Sequence, residues 1–401
     1  MDLDLTPEQR ALQGELREYF AGLLTPEVRE KLGWGAEEQG SEVYRALVRQ
    51  MGADGWLGIG WPKEYGGQGR SPVEQYLFFE EAERAGAPFP FVTLNTVGPT
   101  LIRHGSEEQK QRFLPPILRG EIYFAIGYSE PGAGTDLASL TTRAERDGDE
   151  WVINGQKVFT TGAHFADYVW LAARSDASAP KHQGLSVFIV DCADPGFSFT
   201  PIETLAGHMT NATYYENVRV PSSMVVGEVG KGWKLMTTQL NHERVALATT
   251  GRVERVFEEV RCWAAQTNGP DGGRVIDVSW VQLALARVRA KIDALELLNL
   301  RHAWEMTAGE LNPADVSAVK VYGTELYIEA YRLLLEIVGQ GGYLEPGSPG
   351  AVLEADVQLS YRHALILTFG GGVNEIQREI IATAGLGMPR SRASAPTGAA
   401  G

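Results

Sequence analysis

The chain lacks the sequence features of several large classes of protein. Among its 401 residues are only two cysteines, Cys192 and Cys262, which stand far apart and outside any Cys-x-x-Cys pattern. This spacing excludes a disulfide framework, and we expect a reducing compartment such as the cytoplasm. The seven histidines show no His-x-x-x-His or His-Glu-x-x-His spacing, so we expect no metal site.

Long apolar runs and excess positive charge are also missing. No run approaches the roughly 18 apolar residues that a transmembrane helix needs. The acidic segment Met1–Thr6 has neither the basic nor the apolar region of a signal peptide. With 36 basic and 51 acidic residues, the formal net charge is −15. Nucleic acids and anionic membranes bind basic patches, so we expect neither as a partner.

The common nucleotide-binding motifs are absent as well. No Gly-x-Gly-x-x-Gly follows a strand-like run, and no Gly-x-x-x-x-Gly-Lys-Ser/Thr occurs. A Rossmann or P-loop enzyme is therefore disfavoured. The composition is otherwise that of an ordinary globular protein, with 44% hydrophobic residues.

The order of helical and strand-like patterns along the chain predicts an α+β protein with three domains. Residues 1–121 have helical patterning, residues 122–230 contain short strand-like runs, and residues 231–390 return to long helices with short connections. The strands favour a small barrel or sandwich, and the long helices favour a four-helix bundle. Residues 391–401 are rich in Ala, Ser, Gly and Pro, and we expect them to be disordered.

Local signals predict individual starts and turns. Thr6 before Pro7 predicts the cap and first turn of a helix. Asp147-Gly148 and Asn154-Gly155 are dipeptides typical of hairpin turns. In the third region, the periodicity predicts one continuous helix from Lys231 to Glu259.

A single carboxylate interrupts the apolar face of that helix. Glu243 shares one helical stripe with residues that are otherwise apolar or small, namely Met236, Leu240, Leu247 and Gly251. Burying a carboxylate is costly unless it is paired or used, and desolvation raises its pKa towards that of a useful base. A structural ion pair with Arg244 or Arg252 is the alternative.

Three stretches resemble the signatures of the acyl-CoA dehydrogenase family. They are Ile126–Asp136, Trp151–Gly162 and Gly372–Arg378. A glycine-rich loop alone fits a plain turn as well as a polar ligand site. The string Tyr-Ser-Glu-Pro-Gly-Ala-Gly-Thr-Asp, however, is specific to the family. The resemblance runs from about Leu5 to Arg390, with the motifs in family order and spacing.

The resemblance implies an N-terminal helical domain, a central β-barrel domain and a C-terminal four-helix bundle, with FAD between barrel and bundle. It implies flavin contacts from Ile126, Tyr128, Ser129, Thr135, Phe159, Thr161, Val373 and Glu375. It further implies that Thr135, Arg244, Gly371 and Gly372 contact the acyl-CoA substrate.

The position of the catalytic base departs from the commonest family pattern. Many members carry a glutamate where this chain has Gly371, and a glycine cannot take a proton. The chain instead resembles isovaleryl-CoA dehydrogenase and related branches, whose base lies on a bundle helix immediately before an arginine. That position is Glu243, before Arg244. Both the helical stripe and the resemblance therefore point to Glu243.

The resemblance implies removal of the substrate α-proton by Glu243 and transfer of a β-hydride to the flavin, giving a trans-2-enoyl-CoA. It implies an electron-transfer flavoprotein as the electron acceptor. Two alternatives stay open: an acyl-CoA oxidase on the same scaffold, and a non-catalytic subunit that completes a partner's flavin site.

Two further departures bear on assembly and substrate. Homotetrameric members carry an Arg-x-x-Phe-Gly stretch that contacts a neighbouring subunit's FAD, and Thr267–Asp277 lacks it. Either Arg274 compensates in a homotetramer, or a paralogous subunit supplies the arginine in an α2β2 assembly similar to bacterial steroid-degrading dehydrogenases. Gly370, Gly371 and Phe159, which is Trp in most members, leave room for a bulky acyl group such as a steroid side chain, unless neighbouring residues refill the space.

Overall fold

The computed structural model describes residues 4–33, 40–244, 248–269, 271–309 and 312–389, and for residues 238 and 240–244 it describes the backbone alone. Helices come first, a β-sheet follows, and helices return in the last part of the chain. This order confirms the predicted α+β architecture.

Hydroxyl side chains begin most of the N-terminal helices. Thr6, Ser71 and Ser106 each accept a hydrogen bond from the backbone N–H three residues later, and the residue there bonds back to the cap. These bonds satisfy donors that a helix start otherwise leaves unpaired. The helices are α1 Pro7–Leu23, α2 Pro26–Leu32, α3 Glu42–Ala53, α4 Pro72–Ala85, α5 Gly98–His104 and α6 Glu107–Leu118.

The central strands form one mixed sheet. Its order is β6-β7-β3-β2-β4-β5-β8, and β1 pairs with β4 in parallel. The strands are β1 Phe124–Gly127, β2 Arg143–Asp147, β3 Glu150–Lys157, β4 Tyr168–Arg174, β5 Leu185–Asp191, β6 Phe197–Glu203, β7 Met209–Pro221 and β8 Val225–Val226.

Of the two predicted hairpin turns, one is confirmed and one is wrong. Asp147-Gly148 joins the antiparallel strands β2 and β3. Asn154-Gly155 instead lies inside β3, where its register with β7 shifts between Ile153 and Gly155. A Cβ on Gly155 would lie 2.5 Å from the Thr142 hydroxyl oxygen, so this glycine serves a close approach at a bulge.

The C-terminal helices bury a core of their own. Phe257, Leu334 and Tyr331 belong to this cluster, whereas the N-terminal helices and the sheet share a second, larger cluster. The helices are α7 Gly232–Arg244, α8 Gly251–Gln266, α9 Ser279–Ala308, α10 Pro313–Val338, α11 Asp356–Leu367 and α12 Asn374–Ile380. Across the described ranges, none of the helices is both long and apolar enough to cross a bilayer.

The predicted continuous helix from Lys231 to Glu259 is wrong. Helix α7 ends at Arg244, α8 begins at Gly251, and the described residues between them, Ala248 to Thr250, are not helical. The Asn299 side-chain amide donates to the Ala248 carbonyl at 2.8 Å, and the Tyr327 hydroxyl donates to the Thr249 carbonyl. Partners on α9 and α10 thus replace the helical hydrogen bonds of these carbonyls.

The N-terminal domain caps the second half of the broken helix. The buried Glu80 carboxylate on α4 accepts from the Thr250 N–H at 2.8 Å, the Thr250 hydroxyl at 2.7 Å and the Gly251 N–H at 2.7 Å. Burial raises the pKa of Glu80 to about 7, although these hydrogen bonds oppose the rise. A carboxylate at the start of α8 also complements the helix dipole. We call the contacts of Glu80, Asn299 and Tyr327 with Ala248–Gly251 the brace.

Replacing Gly251 by alanine tests how tightly α4 and α8 approach. An added Cβ would overlap the Glu80 carbonyl oxygen and lie 2.7 Å from the Arg84 nitrogen. Helix propensity favours alanine by about 1 kcal/mol, but overpacking against backbone costs about 1–3 kcal/mol, so Gly251→Ala should lower the thermal midpoint. Gly14→Ala on α1 is the matched control, because its Cβ meets nothing within 4 Å. Equal midpoints for the two variants would contradict the close approach.

Candidate active site

The first predicted motif is fixed by a buried ion pair. Glu130 accepts from the Lys157 ammonium at 2.8 Å, and both side chains are buried. Burial opposes ionisation of Glu130, but Lys157 and hydrogen bonds from Thr141 and Thr142 outweigh it and lower its pKa to about 2. Lys157 also donates to the Tyr128 carbonyl at 3.1 Å. The glycine-rich loop is therefore attached to the end of β3.

The second motif exposes an aromatic ring beside a hydroxyl. Phe159 has a φ of 59°, rare for a bulky residue, and 65% of its surface is exposed. The next backbone N–H, that of Thr160, donates to the Asn211 carbonyl at 2.9 Å, and the Asn211 amide donates back to the Thr160 carbonyl. The Thr161 hydroxyl lies 3.0 Å from the Thr210 hydroxyl. Strained backbone of this kind clusters at ligand sites.

A buried polar contact joins the first motif to the helix that carries Glu243. The Tyr128 hydroxyl donates to the Gln239 side-chain oxygen at 3.0 Å, and the Trp170 indole N–H lies 3.1 Å from the Tyr128 hydroxyl. Gln239 is on α7, four residues before Glu243, so the two residues share a helix face. The Tyr128 hydroxyl is therefore used inside the protein, where it connects the glycine-rich loop to α7.

The third motif lies on a loop fixed by a buried lysine. The Lys320 ammonium donates to the Thr368 carbonyl at 3.2 Å, the Gly372 carbonyl at 2.8 Å and the Asn374 side-chain oxygen at 2.7 Å. Gly371 has a φ of 66° and Gly372 a φ of 98°, a region that favours glycine. The missing glutamate at position 371 therefore coincides with a backbone conformation that strains any residue with a side chain.

The remaining predicted site residues lie around these three motifs. Ile126 on β1 and Ser129 are half-buried, whereas Thr135, near the end of the glycine-rich loop, is exposed. Val373 precedes the first residue of α12, and Glu375 is exposed in its first turn.

The predicted catalytic segment is described only in its backbone. Glu243 and Arg244 are the last two residues of α7, and their side chains lie outside the described part of the structure. Arg252, one alternative partner for Glu243, forms a two-pronged ion pair with Glu83 at 2.8 and 2.9 Å. The guanidinium of Arg252 is therefore committed to a carboxylate of the N-terminal domain.

A cavity of about 400 Å³ lies where the N-terminal helices, the sheet and the bundle meet. Among the described residues predicted for the site, Thr161 lines it. Thr249 of the brace lines it too, so the break between α7 and α8 opens onto this space. Its other lining residues include Phe89, Phe91, Tyr123, Phe165, His208, Arg252, Tyr327, His363 and Leu367.

The sequence motifs did not single out Gln239, Lys320, Glu80, His208 or His363. Gln239 carried one usable signal, since it lies one helical turn before Glu243. The others are brought to the site by contacts between distant parts of the chain. Among the described residues, no group of three or more His, Cys, Asp or Glu side chains could hold a metal ion.

Comparison with known families covers most of the chain. Residues 6–121 match the N-terminal domain of acyl-CoA dehydrogenases, residues 125–218 the middle domain, and residues 230–386 the C-terminal domain. Acyl-CoA dehydrogenase FadE26 of Mycobacterium tuberculosis is 53% identical over 98% of this chain and 100% of its own length.

Solved structures of similar proteins have the same fold as this chain over nearly its whole length. A protein described as the Tcur3481-Tcur3483 steroid ACAD is 55% identical with a TM-score of 0.92, over 98% of this chain and 100% of that one. A chain of the ChsE4-ChsE5 complex from Mycobacterium tuberculosis is 53% identical with a TM-score of 0.90, over 98% of this chain and 100% of that one. With all three domain matches in order and identity above half, the chain belongs to the acyl-CoA dehydrogenase family of oxidoreductases.

Proposed function

We propose that this protein is an FAD-dependent dehydrogenase of a bulky acyl-CoA, with Glu243 as the base that removes the α-proton. The observation that carries this proposal is the contact of Tyr128 and Trp170 with Gln239. It joins the glycine-rich motif to the helix face of Glu243, next to a cavity lined by Thr161.

The residues of the proposed cofactor site fit a planar, polar-edged ring. Phe159 offers an exposed aromatic face, and Thr161 offers a hydroxyl beside it. Ile126, Tyr128 and Ser129 would lie along the ring, on a loop that Lys157 and Val158 hold in place. Val373 and Glu375 at the start of α12 offer N–H groups at a helix end, which suit an electron-rich edge or a phosphate. FAD, when bound there, would accept the hydride that leaves the substrate β-carbon.

Glu243 would act at the end of a helix that the fold holds in place. Gln239 anchors α7 one turn before it, and the brace fixes the backbone a few residues after it. A carboxylate that is shielded from water when the substrate binds would gain affinity for protons, which suits a base near neutral pH. Arg244, next to it, would orient Glu243 or contact the CoA moiety.

The loop at Gly371 and Gly372 would polarise the thioester carbonyl. Lys320 holds the Gly372 carbonyl, so the loop is ordered before substrate arrives. A backbone N–H aimed at the thioester oxygen stabilises the negative charge that develops as the α-proton leaves. Thr135, exposed near the surface, would contact the arm of CoA outside the cavity.

The substrate we propose carries a bulky acyl group, such as a steroid side chain. The aromatic lining of the cavity next to the helix break, which includes Phe89, Phe91 and Phe165, supports this proposal. So does the similarity to a protein described as a steroid ACAD. We propose an electron-transfer flavoprotein as the electron acceptor and the cytoplasm as the location.

We also propose an α2β2 assembly with a paralogous subunit. Arg274, the residue that could replace the missing arginine in a homotetramer, forms two hydrogen bonds to Asp277 at 2.8 and 2.9 Å. The Arg274 guanidinium is thereby paired with a neighbouring carboxylate at the protein surface. The similarity to a chain of the ChsE4-ChsE5 complex supports the same proposal.

Replacing Glu243 by glutamine tests the base. The amide keeps the shape but cannot take a proton, so turnover should fall about 10²–10⁴-fold while FAD and the CoA ester still bind. The measurement is steady-state turnover with a bulky acyl-CoA, together with the flavin spectrum of each variant. Glu258→Gln on the exposed face of α8 is the matched control and should keep full activity. Full activity in Glu243→Gln would assign the base to another residue.

The proposed α2β2 assembly can be tested through the affinity of the chain for FAD. Loss of one charge-assisted contact to a pyrophosphate costs roughly 1.5–3 kcal/mol, so the chain purified alone should hold FAD weakly. Co-expression with a paralogous subunit should restore tight binding, and Arg274→Ala should leave the FAD affinity of that complex unchanged. Stoichiometric, tight FAD in the isolated chain, lost on Arg274→Ala, would instead support a homotetramer.

A further inference from the structure

Two histidines from different domains meet at one wall of the cavity. His208 lies between β6 and β7, and His363 lies on α11. Their Nδ1 atoms are 3.3 Å apart, and their ring centroids are 4.5 Å apart. Both residues line the cavity that also contains Thr161 and Thr249. The pair therefore connects the sheet to the bundle at a place that a ligand in this cavity can reach.

The arginines near this pair are matched by carboxylates. Arg252 pairs with Glu83 through two hydrogen bonds. Arg255 pairs with Asp356 and with Glu259. The two positive charges at this wall thus face three acidic side chains. An anionic group would meet no excess positive charge here, and desolvating it without a partner charge is costly.

Several other polar side chains of the cavity wall are engaged with the protein itself. The Tyr327 hydroxyl donates to the Thr249 carbonyl, and the Ser360 hydroxyl lies 3.4 Å from Asp356. The Thr93 hydroxyl oxygen accepts from the Phe124 N–H at 3.0 Å. These groups have their main partners already, so they contribute shape more than recognition.

His363 keeps one ring nitrogen for a ligand. Its Nδ1 faces His208, and its Nε2 has no hydrogen-bond partner within the part of the chain that the structure describes. Burial, then the positive charge of Arg252 and the proximity of His208, lower the pKa of His363 well below its ordinary value. A neutral imidazole donates from one nitrogen and accepts at the other, so it can pair with a hydroxyl or a carbonyl, whereas it supplies no positive charge to balance a carboxylate.

A further part of the cavity wall is apolar. It is formed by the segment Ala87 to Val92, which includes two prolines and two phenylalanines, and by Phe165. Aromatic and proline side chains lose little conformational entropy when they contact a ligand, and they suit a ring system better than a flexible chain. The apolar part of the lining therefore fits rings, and the histidine pair adds a hydrogen-bonding group to the same cavity.

We infer that the part of the cavity wall formed by His208 and His363 is a subsite for a neutral oxygen, a hydroxyl or a carbonyl, carried by the bulky acyl group. His363 is the hydrogen-bond partner of this oxygen, and His208 orients the His363 ring. This inference rests on the proposed function and adds a feature of the substrate to it. A site built to pair with an oxygen discriminates strongly against the analogue that lacks it, because the buried polar group is then left unpaired.

The test is a matched pair of ring-bearing acyl-CoA esters, one with a hydroxyl or carbonyl on the ring system and one without. Both are assayed with the FAD-loaded enzyme and any subunit that co-purifies with it. The wild type should prefer the oxygenated ester by about 10-fold or more in kcat/KM. His363→Leu should reduce that preference to near unity, because the oxygen then has no hydrogen-bond partner. His363→Gln, which keeps an amide near the Nε2 position, should retain part of the preference.

His104→Gln on the exposed surface of α5 is the control and should leave the preference unchanged. A wild type that turns over both esters equally, or prefers a ring-borne carboxylate, would overturn the inference and leave the proposed function intact. So would a His363→Leu enzyme with the wild-type preference, or one whose flavin potential shifts while the preference stays the same. Failure of the wild type to oxidise any acyl-CoA would instead refute the proposed function.

Discussion

Much of this site depends on one buried carboxylate that holds two domains together. Glu80 extends from the N-terminal domain and accepts three hydrogen bonds from Thr250 and Gly251, at the start of α8. Without such an acceptor the first N–H groups of that buried helix would be unsatisfied. Asn299 and Tyr327 hold the preceding carbonyls. The interruption that follows Glu243 and Arg244 is thus a stabilised element of the fold.

The break serves the cavity as well as the proposed base. A continuous helix from α7 through α8 would keep its backbone groups bonded to each other. The interrupted one directs Thr249 into the cavity wall and leaves Glu243 in the last turn of α7. Gln239 secures that turn to the sheet from the other side. The proposed site thus combines an ordered loop at Gly371 and Gly372, an exposed ring at Phe159 and a helix end at Glu243.

Sequence patterns predicted those features that local physics decides. The caps at Thr6 and Ser71 follow from hydroxyls before helical runs, and the Asp147-Gly148 turn from its φ preferences. Asn154-Gly155 has the same local signal, yet it lies in a strand, where the glycine permits the close approach of Thr142. The helix break could not be predicted either, since its cause is Glu80, about 170 residues away in sequence. For the same reason the pairing of His208 with His363 had no signal in the sequence.

The proposed chemistry can be tested by adding one equivalent of a ring-bearing acyl-CoA to the FAD-loaded enzyme under anaerobic conditions. We expect the flavin absorbance to bleach and a trans-2-enoyl-CoA to form in equal amount. We expect Glu243→Gln to bind the ester with neither bleaching nor product. Bleaching at the wild-type rate in that variant, or a bound flavin that no acyl-CoA reduces in the wild type, would contradict the proposed chemistry.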